Sequence, residues 1–112
     1  MKVRFLVFFV LLFGCGREIG DDCSRNSDCG SGTGYMCDLS KPGGYCTISP
    51  CIEGTCPSEA VCVKFSPDDS YCMRQCHDDF DCRKGYVCVK AFCGNPSFCN
   101  SSQPQESAIS CP

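Results

Sequence analysis

The residues with the widest chemical reach in this chain are its 15 cysteines, out of 112 residues. Thiols in such number can hold a metal, exchange with disulfides, act as nucleophiles or close cross-links. Structural zinc and iron–sulfur sites favour Cys-x2-Cys pairs, which place two thiolates on one tight knuckle. Thioredoxin-type redox sites use the same spacing. No Cys-x2-Cys occurs here, and the shortest gap is Cys72-x3-Cys76. No metal and no cofactor are therefore expected. His77 is the single histidine, so a Cys–His or Ser–His–Asp mechanism would have to use it. It stands in Gln75-Cys76-His77-Asp78-Asp79 and reads as a solvated loop residue. Asp78, Asp79 and Asp81, with Asp21-Asp22 and Asp68-Asp69, offer oxygen ligands for weak Ca²⁺ binding. They lack the alternation and glycine of an EF-hand loop and read as exposed charged turns. Asn100-Ser101-Ser102 is a glycosylation sequon that matters only in a eukaryotic source, and Asn95-Pro96-Ser97 is blocked by its proline. No catalytic residue emerges, and an enzyme is not expected.

The remaining use of the thiols is cross-linking. A cysteine content above roughly 8–10% in a short exported chain marks a disulfide scaffold, and this chain exceeds it. Beyond Gly16 the large apolar residues are few and scattered, and there is no Trp. A domain so small and so poor in Leu, Ile and Val cannot bury a large core, so cross-links must stand in for burial. The formal charge is −3; removing residues 1–14 takes away Lys2 and Arg4 and leaves 8 basic against 13 acidic side chains, or −5. The basic residues form no stripe, which argues against nucleic acid as a partner.

Residues 1–14 read as a signal peptide. Lys2 and Arg4 form a positive start, and Phe5–Phe13 is an apolar run too short to cross a bilayer, which needs ~20 helical residues. Two cleavage readings stand. Leu12-Phe13-Gly14-Cys15 resembles a bacterial lipobox, although Phe13 occupies a place usually held by a smaller residue. That resemblance implies a diacylglyceryl group on Cys15, cleavage just before it, and attachment to the membrane. The other reading is small-x-small at Gly14-Cys15-Gly16, with cleavage before Arg17 and a secreted product. Either outcome leaves 14 thiols, the 15 less Cys15, an even number that can pair completely.

The other cysteines are Cys23, Cys29, Cys37, Cys46, Cys51, Cys56, Cys62, Cys72, Cys76, Cys82, Cys88, Cys93, Cys99 and Cys111. All are assigned to disulfides. Taken in fours, the groups recur in phase. Asp28, Thr55 or Asp81 precedes the second cysteine. Gly34-Tyr35-Met36, Glu59-Ala60-Val61 or Gly85-Tyr86-Val87 precedes the third. Tyr45, Tyr71 or Phe92 precedes the fourth. An Asp or Thr in this place accepts backbone N–H groups and fixes a tight turn. Ala60–Val63 and Tyr86–Val89 are β-prone. The division is a lipidated tether 15–22, repeats 23–50, 51–75 and 76–98, and a Ser/Gln/Pro tail 99–112 closed by a disulfide. The expected fold is small and disulfide-rich: short two-stranded β elements and loops in three tandem cysteine repeats. Helix beyond the signal peptide is limited to a turn at Ser24–Cys29 or His77–Cys82. Sequence alone does not fix the pairing. First-to-third and second-to-fourth linkage (23–37, 29–46, 51–62, 56–72, 76–88, 82–93), with 99–111 closing the tail, is one arrangement. Sharing of cysteines between adjacent repeats is its rival.

From Asp22 to Cys99 the order of an Asp-led cysteine, Gly-Tyr-x-Cys and aromatic-Cys resembles the Dickkopf N-terminal-like cysteine repeats, which also occur in bacterial surface lipoproteins. It is loosely similar to EGF-like modules. The resemblance implies protein or surface recognition rather than chemistry. The lipobox resemblance further implies an outer-membrane or cell-surface address, because Gly16 is not an inner-membrane retention signal. The expected function is a lipid-anchored extracytoplasmic binding or structural module with an unknown protein or surface ligand. The alternative is a secreted, disulfide-stapled inhibitor or toxin-like effector presenting the loop Lys64–Ser70.

Overall fold

The computed structural model describes residues 17–30, 32, 34–104 and 111. The signal peptide, Cys15 and tail residues 105–110 lie outside the described residues. Three antiparallel hairpins follow one another along the chain. Strand β1 (Tyr35–Cys37) pairs with β2 (Cys46–Ile48), β3 (Ala60–Ser66) with β4 (Asp69–Arg74), and β5 (Val87–Val89) with β6 (Phe98–Asn100). Helical structure among the described residues is limited to three-residue 3₁₀ turns at Asn26–Asp28, Asp79–Asp81 and Phe92–Gly94. The fold is thus small and disulfide-rich, as its composition requires.

Each hairpin places two cysteines face to face. The register pairs Cys37 with Cys46, Cys62 with Cys72, and Cys88 with Cys99. The facing cysteines do not bond to one another. Each reaches back to the segment before its hairpin: Cys23–Cys37, Cys51–Cys62 and Cys76–Cys88 on one strand, and Cys29–Cys46, Cys56–Cys72 and Cys82–Cys99 on the other. Sequence separations of 11 to 17 residues give each loop closure a value of about 3 kcal/mol in the chain-entropy account.

The third repeat corrects the expected pairing. Cys82 bonds Cys99, not Cys93, and Cys93 bonds Cys111. The third repeat therefore runs through β6, past the boundary at residue 98, and the tail is closed from Cys93. The reason is geometric. Cys99 faces Cys88 across the strand pair, as the fourth cysteine of every repeat must. Cys93 sits in the intervening 3₁₀ turn at φ 49°, between Ala91 at φ 59° and Gly94 at φ 75°.

The turn before each hairpin is built by the residue that precedes the second cysteine. Asp28 Oδ2 accepts from the N–H of Ser24 at 2.9 Å and Arg25 at 3.2 Å. Asp81 Oδ2 accepts from His77 at 2.7 Å and Asp78 at 3.2 Å. Thr55 Oγ1 accepts from Ile52 at 3.2 Å. In the outer repeats a second side chain ties the turn to the strand: Asn26 Oδ1 accepts from Cys37 N–H at 2.9 Å, and Asp79 Oδ1 from Cys88 N–H at 2.8 Å. Close approach matters most at Gly44. Its φ is +77°, and a Cβ there would lie 2.0 Å from the Cys23 carbonyl oxygen, so only glycine fits.

The expected tether is not a free leash over its whole length. Ile19 is 1% exposed within the core. Gly20 N–H donates to the Cys46 carbonyl and Cys46 N–H to that of Asp21, both at 2.9 Å. The segment packs because Ile19 is one of the few aliphatic residues available.

Every disulfide lies within a repeat or joins the third repeat to the tail, so the repeats hold one another by noncovalent contacts. The shared core contains Ile19, Tyr45, Val63, Met73, Tyr86, Val89, Phe92 and Phe98. Aromatic rings of different repeats pack on one another. Tyr45 lies 5.6 Å from Tyr86, and Phe65 lies 5.6 Å from Phe98 and 5.9 Å from Phe92. Tyr45 is buried, and its hydroxyl donates to the Cys99 carbonyl at 2.9 Å and accepts from Arg74 N–H at 3.0 Å. One hydroxyl therefore joins all three repeats, and burial pushes it well above the usual phenol range. Arg83 forms another joint. Its guanidinium donates to the carbonyls of Gly20 (2.9 Å), Pro42 and Gly44, and stands 4.3 Å from the Tyr86 ring centroid. Tyr45→Phe removes a hydroxyl and leaves a buried carbonyl and N–H without it. We expect a loss of about 1–3 kcal/mol in denaturant unfolding with the disulfides intact, with no change in disulfide content.

Candidate functional site

The turn at Asp78–Cys82 shares its backbone form with its counterpart in the first repeat but carries a large apolar residue at its tip. Cys23-Ser24-Arg25-Asn26-Ser27-Asp28-Cys29 and Cys76-His77-Asp78-Asp79-Phe80-Asp81-Cys82 have equal length and the same 3₁₀ turn, capped by the Asp78 side chain in the third repeat but not by that of Arg25 in the first. Ser27 in the first becomes Phe80 in the third. Phe80 is 97% exposed. It packs on nothing that would account for a phenyl ring in that place.

The turn that carries it is tightly held. Asp78 Oδ1 accepts from Phe80 N–H at 2.9 Å, Asp81 closes the turn behind it, and disulfides lie at both ends. The three carboxylates that suggested calcium are thus each engaged with backbone N–H groups of their own repeat. Hydrogen bonds from the N–H of His77 and then of Asp78 hold the Asp81 carboxyl below the usual range, and bonds from Ser24 and Arg25 do the same for Asp28. His77 is exposed and engages this turn through its backbone.

An open cleft of about 590 Å³ borders the turn, lined by Glu59, Arg74, His77, Asp81 and Ser97 among others. Its charged groups already have partners. Arg74 pairs with Glu18 at 2.6 Å, and Glu59 Oε2 accepts from Ile19 N–H at 3.1 Å. The cleft is therefore lined by charged groups already engaged elsewhere, and Phe80 does not line it. Among the described residues, Leu39 and Ile52, exposed by 67% and 72%, are the other large apolar side chains at the surface.

The fourteen cysteines assigned to disulfides are all in disulfides. Sulfurs of Cys23, Cys29 and Cys37, of Cys51, Cys56 and Cys72, and of Cys76, Cys82 and Cys99 lie within 4.8 Å of one another. These are stacked bridges, whose sulfurs are not thiolate ligands. Cys15 lies outside the described residues. The sequon residue Asn100 is 5% exposed; its Oδ1 accepts from Lys41 Nζ at 2.7 Å, and its Nδ2 donates to the Ser102 carbonyl at 3.0 Å. The loop Lys64–Ser70 is the β3–β4 turn. Its outer residues Pro67–Asp69 are exposed, while the Lys64 backbone is clasped on both sides by the Asn95 amide at 3.1 Å.

No family model, no curated protein and no solved structure matches this chain. The resemblance to Dickkopf N-terminal-like repeats stands on the cysteine pattern alone.

Acid should weaken the turns. Depressed folded-state values for Asp28 and Asp81 mean that their contribution is present above the unfolded value of about 3.9 and is lost as pH falls through the folded value. Asp81→Asn keeps an acceptor and removes the charge. Its unfolding curves, measured from pH 7 downward with disulfides intact, should show lower stability at pH 7 and a smaller further loss below about pH 4 than the wild type.

Proposed function

We propose that this protein is a lipid-anchored extracytoplasmic recognition module, fixed to the membrane through Cys15 and presenting Phe80 to a protein or surface ligand. Seven disulfides place the folded chain in an oxidising, extracytoplasmic environment. The lipobox-like Leu12-Phe13-Gly14-Cys15 supplies the anchor in this reading, with the outer membrane or cell surface as the address. The observation that carries recognition is the 97% exposure of Phe80 on a turn whose twin holds serine. A rigid aromatic side chain makes a good binding anchor, because little conformational entropy remains to be lost when it docks. The aspartates around it suit a partner that offers an apolar pocket with a basic rim. Packing of Ile19 leaves only residues 15–18 between lipid and core, so the body would stand on the order of 10 Å from the bilayer surface.

One preparation from the native host tests both halves. Intact mass after reduction and alkylation should report a chain that begins at Cys15 with a diacylglyceryl group. A chain that begins at Arg17 without lipid would overturn the anchor and favour the secreted inhibitor or effector. In the same host, a photo-crosslinking phenylalanine analogue at position 80 should give one discrete adduct that is absent when the analogue replaces Ser27. Phe80→Ser should abolish competition for that adduct while changing stability by no more than about 0.5 kcal/mol. Equal adducts at both positions, or none at position 80, would contradict the role of Phe80.

A further inference from the structure

No disulfide joins the first repeat to the third, yet one pair of side chains with complementary chemistry meets there. Lys41 lies before the Pro42–Gly44 turn of the first repeat, and Asn100 ends β6 of the third, 59 residues away. Lys41 Nζ lies 2.7 Å from Asn100 Oδ1. The electrophilic Cγ is one carbonyl bond, about 1.2 Å, beyond that oxygen. Asn100 is 5% exposed, and its amide nitrogen is tied to the Ser102 carbonyl. The amide is therefore held in place while a flexible lysine stem brings the amine to it.

We propose that Lys41 and Asn100 form an intramolecular isopeptide bond that covalently joins the first repeat to the third. The uncharged Nζ attacks Asn100 Cγ and forms a C–N bond. The tetrahedral adduct transfers a proton from Nζ to Nδ2. The Cγ–Nδ2 bond then breaks and ammonia leaves, so that one lysine amine and one asparagine amide become one secondary amide plus NH₃. No oxidant, reductant or cofactor enters. Three features favour the step. Burial pushes the Lys41 amine below the usual lysine range, which raises the share of the nucleophilic form; the Asp38 carboxylate opposes this more weakly. The reacting groups are already held together, which replaces a bimolecular encounter by an intramolecular one. Arg83 and Tyr86 bind the carbonyl of Pro42, next to Lys41, and so hold the same joint closed.

Mass spectrometry tests this directly. The reduced, alkylated protein should weigh about 17 Da less than its sequence requires, one ammonia lost. Tryptic digestion should release a branched peptide that joins Lys41 to Asn100. Reduced protein should also migrate faster than Lys41→Arg in a denaturing gel, because a closed loop survives reduction. Lys41→Arg keeps the charge and hydrogen-bonding capacity but should restore the full mass and leave no branched peptide. A wild-type chain of full mass after prolonged incubation in the folded state, with separate linear peptides containing Lys41 and Asn100, would overturn the proposal. So would a 17 Da loss confined to a linear peptide, which marks cyclisation at the asparagine itself.

Discussion

The structure depends on one repeated constraint: two cysteines face each other across each hairpin, and each is bonded to the chain that precedes it. A hairpin with three paired residues per strand, such as β1–β2 or β5–β6, has little stability of its own. Two bridges at its base restrict the unfolded chain enough for the strand pair to persist. In the first and third repeats the stacked sulfurs also form a buried apolar centre. Asp28, Thr55 and Asp81 are needed because the chain must turn tightly to bring the first two cysteines under the hairpin.

What the bridges leave undone is the joining of repeats. That task falls to a few aromatic rings and to polar groups that bind carbonyls across the joints. Thr47 Oγ1 donates to the Cys72 carbonyl at 2.8 Å and Ser49 Oγ to the Ser70 carbonyl at 2.7 Å, which closes the first repeat on the second. Tyr45 and Arg83 close the first on the third. Hydroxyl and guanidinium donors suit this role, because loop-rich repeats expose many carbonyls that no strand partner satisfies. A chain stiffened in this way can leave Phe80 in solvent without using it for packing.

Much of this was legible in the sequence. The phase of Asp28, Thr55 and Asp81 gave the turns, Ala60–Val63 and Tyr86–Val89 gave strands, and five of the seven disulfides follow from the first-to-third and second-to-fourth rule. The third repeat misled because two aromatic–cysteine pairs, Phe92-Cys93 and Phe98-Cys99, compete for one role. Spacing separates them. Second-to-fourth separations are 17 and 16 in the first two repeats and 17 with Cys99 in the third. Arg83, Lys41 and Asn100 gave no such signal, because their partners are backbone groups or lie far along the chain. Phe80 did carry one: an apolar residue in a slot that is polar in the first repeat.

The most direct test of the repeat architecture is the disulfide map of the unreduced protein, read from cross-linked peptides after digestion at acidic pH to prevent exchange. The account requires a peptide pair linking Cys82 to Cys99 and another linking Cys93 to Cys111. Recovery of Cys82 with Cys93 and Cys99 with Cys111 would mean that the fourth cysteine need not face the third across its hairpin, and the constraint on which the fold is built would fail.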